Sequence, residues 1–463
     1  MAVEQHVIKL ELEVSPMSKY STQSLPFSPI LRKKVVADFE GGEITSNAGA
    51  LLLRETEKFV GIIFAIASAV RDTRDLRYVD HSINEIITQR VHQIACGYED
   101  ANDSDALRSD PALKISANRL PVSGLDLASQ PTVSRLENVV RRADLLRMGY
   151  AIADNFIASY ATAPEIIILD FDDTEDKTHG QQQLTLFNAY YDSHCYLPLH
   201  VYEGISGKLI TSLLRPGKRP TGKQMVAVLK RIVKRIRTAW PETIILFRGD
   251  SHFCTPEVLR YCDRHQLLYV IGLSGNAILN RMISPLMAEA KAVFSQSHLP
   301  VRLYESFSYQ AQSWDSPQRV VVKAEISAKG GNSRFVVTNL TEPDEATVYK
   351  YLYCGRGQTE NYIKAHKLSL KSDRTSCHRF TANQFRLFLH SAAYILLHSF
   401  RENILKGTQF ALAQFDTIRL QLLKIGARIR ELKTKIALHL PSSYPCKTIL
   451  ASACAIFQIL AVT

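Results

Sequence analysis

Two short runs of β-branched and aromatic residues, each closing in carboxylates, restrict this 463-residue chain more than any other feature. The first is Glu165–Asp173, EIIILDFDD, with Glu175 and Asp176 just after it; the second is Thr243–Asp250, TIILFRGD. Runs of this length and composition read as strands. Between them AYYDSHCYLPLHVYEG and KLITSLLRPG read as further strands, separated by Gly204 and Gly207. Thr221 to Trp240 reads as a basic amphipathic helix carrying Lys223, Lys230, Arg231, Lys234, Arg235 and Arg237, a composition that suits phosphate contact or a solvated face. A helix (Pro256 to His265) and a strand (Leu267 to Gly272) follow. Strands alternating with helices indicate an α/β core. Functional side chains of open α/β sheets gather at the carboxyl ends of strands, which is where these acids fall.

Carboxylates crowded at strand ends repel one another, and a divalent cation relieves the repulsion. Hard oxygen donors suit Mg²⁺, with Mn²⁺ as a substitute. Two such ions about 4 Å apart activate a nucleophile and stabilise the leaving oxygen in phosphoryl transfer. An acidic surface turn would explain either run alone; both on successive apolar strands favour a metal site. Asp170 and Asp172 share one strand face and are alternative first ligands, while Asp173 points the other way. A third carboxylate is offered by YLYCGRGQTENYIKAHK. On a regular helix Tyr353, Arg356, Glu360 and Lys367 fall within an arc of roughly 60° along about 20 Å, with Lys364 beside them. A carboxylate can then ligate metal while cations beside it hold phosphates. Gly355 and Gly357 weaken that helix or permit close backbone approach.

The remaining chain supplies context. The net charge of +11 favours a polyanionic partner, and 46 % hydrophobic residues allow large cores. Eight scattered cysteines without a CxxC pair argue against structural zinc and a disulfide framework. No signal peptide is read. The apolar stretches Phe59–Val70 and Ile449–Val462 are too short to span a bilayer and read as core helices, so a soluble, cytoplasmic protein is expected. Residues 43–148 carry helical periodicity, as in HSINEIITQRVHQIACGY. LASQPTVSRLE reads as a helix capped by Ser129 with Pro131 in its first turn and Arg135, Arg141 and Arg142 along it; such a unit suits DNA contact or an ordinary bundle. VRLYESFSYQ, RVVVKAEIS and RFVVTNL read as strands, with a hairpin signal at Lys329–Asn332.

These motifs together resemble transposases of bacterial insertion sequences. One branch of that family carries a Tyr-Arg-Glu-Lys signature, and Tyr353, Arg356, Glu360 and Lys367 match its spacing without a gap. The branch has a β-rich insertion between its second Asp and its Glu, as the stretch between Asp250 and Glu360 has here; Asp172 and Thr174 look like its first-Asp pair. The resemblance is strong over 165–371. It implies an RNase H-like core interrupted by a β-rich insertion and preceded by a helical domain. The expected organisation is a poorly ordered arm (1–31), a helical DNA-binding domain (32–160), core (161–275), insertion (276–343), core with the Glu helix (344–400) and a C-terminal helical region (401–463). By resemblance Asp172, Asp250 and Glu360 hold two Mg²⁺ ions. Tyr353, Arg356, Lys364 and Lys367 grip DNA, and Trp314 stacks a flipped base or packs in the core. The implied partners are the inverted-repeat ends of the element and target duplex DNA, held by a homodimer associated with the nucleoid when acting. His252 stands where relatives have Gly, and either crowds the site or adds a phosphate contact. A non-mobile nuclease and an inactive DNA-binding protein are the rival readings.

Overall fold

The computed structural model describes residues 24–461, so the expected arm lies outside the described residues as far as residue 23. Its last part, Leu25–Ile30, pairs antiparallel with Lys33–Ala37. Helices follow. The apolar stretch 59–70 is not one helix: Gly61, at φ 67°, ends Ala50–Val60 and precedes Ile62–Ser68, a left-handed conformation that glycine adopts without a Cβ penalty. Helix α1 (Ile83–Ala95) starts on Ser82, whose hydroxyl accepts from the Glu85 N–H. Helix α2 (Gln130–Val139) starts after Ser129 with Pro131 in its first turn. Arg135 lies on its exposed side. Arg141 and Arg142 do not lie along it; an extended Val140 ends α2, and they open the next helix, α3 (Arg142–Ala158).

An eight-stranded sheet forms the other half. Its strands are β1 (Ile166–Asp173), β2 (Leu199–Glu203), β3 (Leu209–Leu213), β4 (Ile244–Gly249), β5 (Leu268–Leu273), β6 (Val301–Tyr309), β7 (Gln318–Ser327) and β8 (Gly330–Thr338). The spatial order is β3-β2-β1-β4-β5-β8-β7-β6. β1, β2 and β3 run antiparallel, whereas β1, β4 and β5 run parallel. Helix α4 (Gly222–Ala239) joins β3 to β4, and α5 (Pro256–Arg264) joins β4 to β5. Three antiparallel strands followed by two parallel ones in the order 3-2-1-4-5 constitute an RNase H-like core. The β-rich stretch is not a separate layer. β8 pairs antiparallel with the free edge of β5 and extends the same sheet. Two helices, Ala277–Met282 and Ser284–Ser297, precede it.

The two faces of the sheet differ. Ile167, Leu169, Phe171, Ile245 and Phe247 form one core with the buried stripes of α4 and α5. Ile168, Leu246, Val270, Val321 and Val336 on the other face are covered by Val348 and Tyr349, at the start of a broken helical segment that contains α6 (Gly357–Lys364). Helix α7 (Phe380–Ser399) is buried continuously from Ala382 to His398, polar residues such as Asn383, Arg386 and His390 included. It packs against α1, α2, α3 and β3, so one core unites the helical half with an edge of the sheet.

The C-terminal stretch is not wholly helical. Ala427–Glu431 and Ile436–His439 form a hairpin, and its first strand pairs with Ile44–Thr45. The period-two pattern explains it: Ala427 and Ile429 are buried, Arg428 and Arg430 exposed. The last helix, Lys447–Leu460, buries only Ala453 and Phe457 and is a surface helix. Among the described residues no helix is long and apolar enough to cross a membrane.

Phe388, fully buried on α7, joins the two halves. Phe388→Ala is expected to cost about 3–5 kcal/mol in denaturant melts. Both tryptophans belong to the sheet core, so their fluorescence should shift with the far-ultraviolet signal. A tryptophan midpoint left at the wild-type value would show that α7 does not couple the halves.

Candidate active site

Alternation along β1 sends Ile168, Asp170 and Asp172 to one face. The same alternation along β4 sends Leu246 and Arg248 there, with Asp250 next in line. β1 and β4 are in register, with Arg248 beside Asp170. The charges therefore come in two layers, a sealed inner one and an outer one at the sheet edge.

In the inner layer Asp170 is fully buried. Arg248 grips it through two bonds, Nε to Oδ1 and Nη2 to Oδ2, each 2.6 Å. Thr359 Oγ1 adds a third bond to Oδ2 at 2.8 Å. Arg248 Nη1 also donates to the Leu352 carbonyl at 2.8 Å. Glycines make room: a Cβ on Gly204 would stand 2.4 Å from Arg248 Nη2, and one on Gly355 2.9 Å from Nη1. Both carboxylate oxygens of Asp170 are thus engaged within the protein. The pair pins the backbone at Leu352 and the side chain of Thr359, and so locates Arg356 and Glu360.

The outer layer holds Asp172 and Asp250, with Asp173 and Glu360 close enough to act on Asp172. Asp172, 9 % exposed, accepts from Arg356 Nη1 at 3.0 Å. Burial pushes its carboxyl up to about 7; Arg356 opposes this, while Asp250, Asp173 and Glu360 add to it. Those three acids are thus near enough to be felt. Cross-strand from Asp172 lies His200, fully buried and bonded to Ser212 Oγ at 2.8 Å. Burial pushes the imidazole down to about 3, so it is neutral. Asp250 follows β4 and accepts from the His252 N–H at 2.8 Å. The His252 ring stands 3.6 Å from Asp173 and 4.0 Å from Asp250. The proximity of Asp173 raises its pKa against the cost of burial, and Asp250 adds to the rise. His252 is therefore set between two acids, which favour its protonated form. Glu360 is exposed on α6.

The helix bearing Glu360 is irregular. Val348–Tyr353 is a π turn, Cys354–Arg356 a 3₁₀ turn, Gly357–Lys364 an α-helix and Ala365–Ser369 a second π turn. The even 60° stripe expected for Tyr353, Arg356, Glu360 and Lys367 is not kept, because each change of winding shifts the phase. Tyr353 places its hydroxyl where a Cβ on Gly272 would be, 2.6 Å away and beside the Ser251 N–H. Lys367 is held by Thr174 Oγ1 at 3.3 Å, by the Glu175 carbonyl and by Asp176 at 3.5 Å. It braces the loop after β1 and is not a free phosphate grip. Lys364 is exposed and has no ion pair among the described residues. Trp314 is placed elsewhere: it is buried in the sheet core with its ring edge-on to Tyr309 at 5.6 Å, so its packing role, not base stacking, is the one realised. Arg248, Thr359 and His200 have no part in the sequence reading, and Gly204 entered it only as a break between strands. Only Arg248 carried a signal, a charge inside an apolar strand.

Among the described residues no three His, Cys, Asp or Glu side chains converge closely enough to hold a metal ion. Arg356 and His252 lie against the acids instead. The donor set is nonetheless all hard oxygen, with one buried carboxyl short of positive charge, and this fits a hard divalent cation.

A profile of the family described as Transposase DDE domain group 1 matches residues 27–462. The chain belongs to this family. Membership in the DDE transposases implies metal-dependent nuclease or transferase activity, in keeping with the acidic edge. Among solved structures, the chain is similar to the piggyBac transposase in a synaptic complex with hairpin DNA, at 12 % identity, covering 87 % of this chain and 83 % of that one, with a TM-score of 0.42. No curated protein matches.

Two outcomes follow for this DDE transposase. Arg248→Met strands a buried charge and is expected to cost about 3–5 kcal/mol; adding Asp170→Leu should restore part of it, and a double-mutant cycle without coupling would remove the clamp. His252, its pKa raised on folding, stabilises the protein fully below about pH 6.5 and loses that contribution as pH rises through the folded value. His252→Gln should therefore flatten the decline of Tm across that window. An unchanged decline would show that the pair with Asp173 does not form in solution.

Proposed function

We propose that this protein cuts DNA at the ends of an insertion sequence of the Tyr-Arg-Glu-Lys branch and joins them to target DNA, with Asp172, Asp250 and Glu360 as its catalytic carboxylates. The observation that carries the reading is the division of the acids into two layers. Asp170 is consumed by Arg248 and Thr359, while Asp172 and Asp250 lie on adjacent parallel strands at the edge over which Glu360 is carried. Those three would hold two Mg²⁺ ions, or Mn²⁺ in their place; bound there, the ions would activate the attacking oxygen and stabilise the leaving one.

The residues around the acids have separable tasks. Arg356 competes with a metal ion for the Asp172 carboxylate; once released, its planar fork suits a phosphate. Tyr353, beside Asp250, and exposed Lys364, four residues beyond Glu360, are the proposed holders of the strand being cut. Lys367 keeps the Asp172 strand end in place through Thr174 and Asp176. His252 stands between Asp173 and Asp250, where its protonated form would oppose a bound cation. The duplex ends of the element and the target are the proposed substrates. A homodimer is the proposed assembly, acting at the cytoplasmic nucleoid.

Asp172→Asn, Asp250→Asn and Glu360→Gln are each expected to lower Mg²⁺-dependent nicking and strand transfer of a DNA carrying the flanking repeats by at least about a hundredfold, with Tm and duplex binding near wild type. Asp170→Asn should instead lower Tm. Full activity in Glu360→Gln would sink the proposed site. Nicking without strand transfer by the wild-type protein would favour the nuclease reading.

A further inference from the structure

The catalytic edge accounts for one part of the charge, yet the densest cationic surface lies elsewhere. Helix α4 carries six Lys and Arg residues and no acid. Its apolar stripe of Met225, Leu229, Ile232, Val233 and Ile236 is buried against the sheet face opposite the triad. Three of the six cations already have partners in the protein, Arg231 through the Ala227 carbonyl at 2.7 Å. Arg235 pairs with Asp154 and stacks 4.1 Å over Tyr150. Arg237 donates to the Pro241 and Thr243 carbonyls. Lys223, Lys230, Arg231 and Lys234 are exposed and have no ion pair among the described residues.

These four join a second pair. Lys218 and Arg219 are exposed just before α4. Arg219 donates to the Ser251 carbonyl at 3.1 Å, next to Asp250. A track therefore starts at the catalytic edge and runs back along α4. Lys223 to Lys234 alone covers about 16 Å. Beside its far half an open cleft of about 810 Å³ separates α3 from α4, lined by Tyr150, Lys230, Arg231 and Lys234 among others. A purely solvated helix face has no need of a one-sign stripe. Repulsion among its cations costs stability, and no acid on α4 offsets it.

We propose that Lys218, Arg219, Lys223, Lys230, Arg231 and Lys234 form a second DNA-holding surface, which carries the phosphate backbone of duplex DNA beyond the cut site and around the sheet to the face opposite the triad. At about 3.4 Å per nucleotide along one strand, the α4 portion matches about five nucleotides. The contacts are to phosphate, so they set position and not sequence. The proposal rests on the reading of DNA as substrate and adds a surface that the triad and its neighbours do not include.

The test is the salt dependence of binding to a fluorescent random-sequence duplex without metal. Each phosphate contact contributes about 0.9 to the slope of log K against log salt. Lys230→Gln, Arg231→Gln and Lys234→Gln combined should reduce the slope by about 2–3 at an unchanged Tm. Lys230→Arg with Lys234→Arg, which keeps the charge, should retain it. Glu360→Gln should keep the wild-type slope while losing Mg²⁺-dependent cleavage. A wild-type slope in the triple variant overturns the track, as does wild-type protein that does not bind duplex. If the slope falls as expected but the wild-type protein cleaves nothing in Mg²⁺, the track stands and the catalytic reading fails.

Discussion

The buried pair of Asp170 and Arg248 is the contact on which the site is assembled. Two parallel strands each contribute one charge, and register sets the charges side by side. Desolvating both is expensive, and the interaction holds only because each remaining polar position is filled. Thr359 and the Leu352 carbonyl fill them. The completion of the pair and the docking of the Glu360 segment are therefore one event. A segment that did not reach the sheet would leave charge uncompensated in the core. This places a carboxylate from residue 360 over strands that end at 173 and 249 without a regular helix to guide it.

Outside that pair the acids are balanced by the chain's own cations. Arg356 meets Asp172, His252 meets Asp173 and Asp250, and Lys367 meets Asp176. The balance is partial: burial still pushes Asp172 and Asp176 up to about 7. Two of the four signature residues, Arg356 and Lys367, are engaged with acids of this same edge.

Much of this was legible in the sequence, for physical reasons. Strands ending in acids declare themselves by apolar runs, and α4 by its period of 3.6. The central sheet and the hairpin at Gly330 followed from the same patterns. What escaped depends on contacts between distant residues. Asp170 and Asp172 are alike in one dimension; only the neighbour on β4 separates them. Winding is equally invisible, since π and 3₁₀ turns carry no propensity strong enough to displace an assumed α-helix. Trp314 reads alike whether stacked on a base or packed on Tyr309. The surface position of Lys447–Leu460 is hidden by its apolar composition, and the Ala427–Glu431 strand by its short length.

The way the β-rich stretch joins the sheet has a consequence of its own. It leaves the core at the end of β5 and returns on β8, and these two strands are hydrogen-bonded neighbours, with Leu273 opposite Phe335. Departure and return are thus fastened together like the two sides of a zip. Whatever lies between them can lengthen, shorten or exchange its content without altering the separation of Asp250 from Glu360. The acidic edge is mechanically insulated from the length and content of the stretch between those two strands.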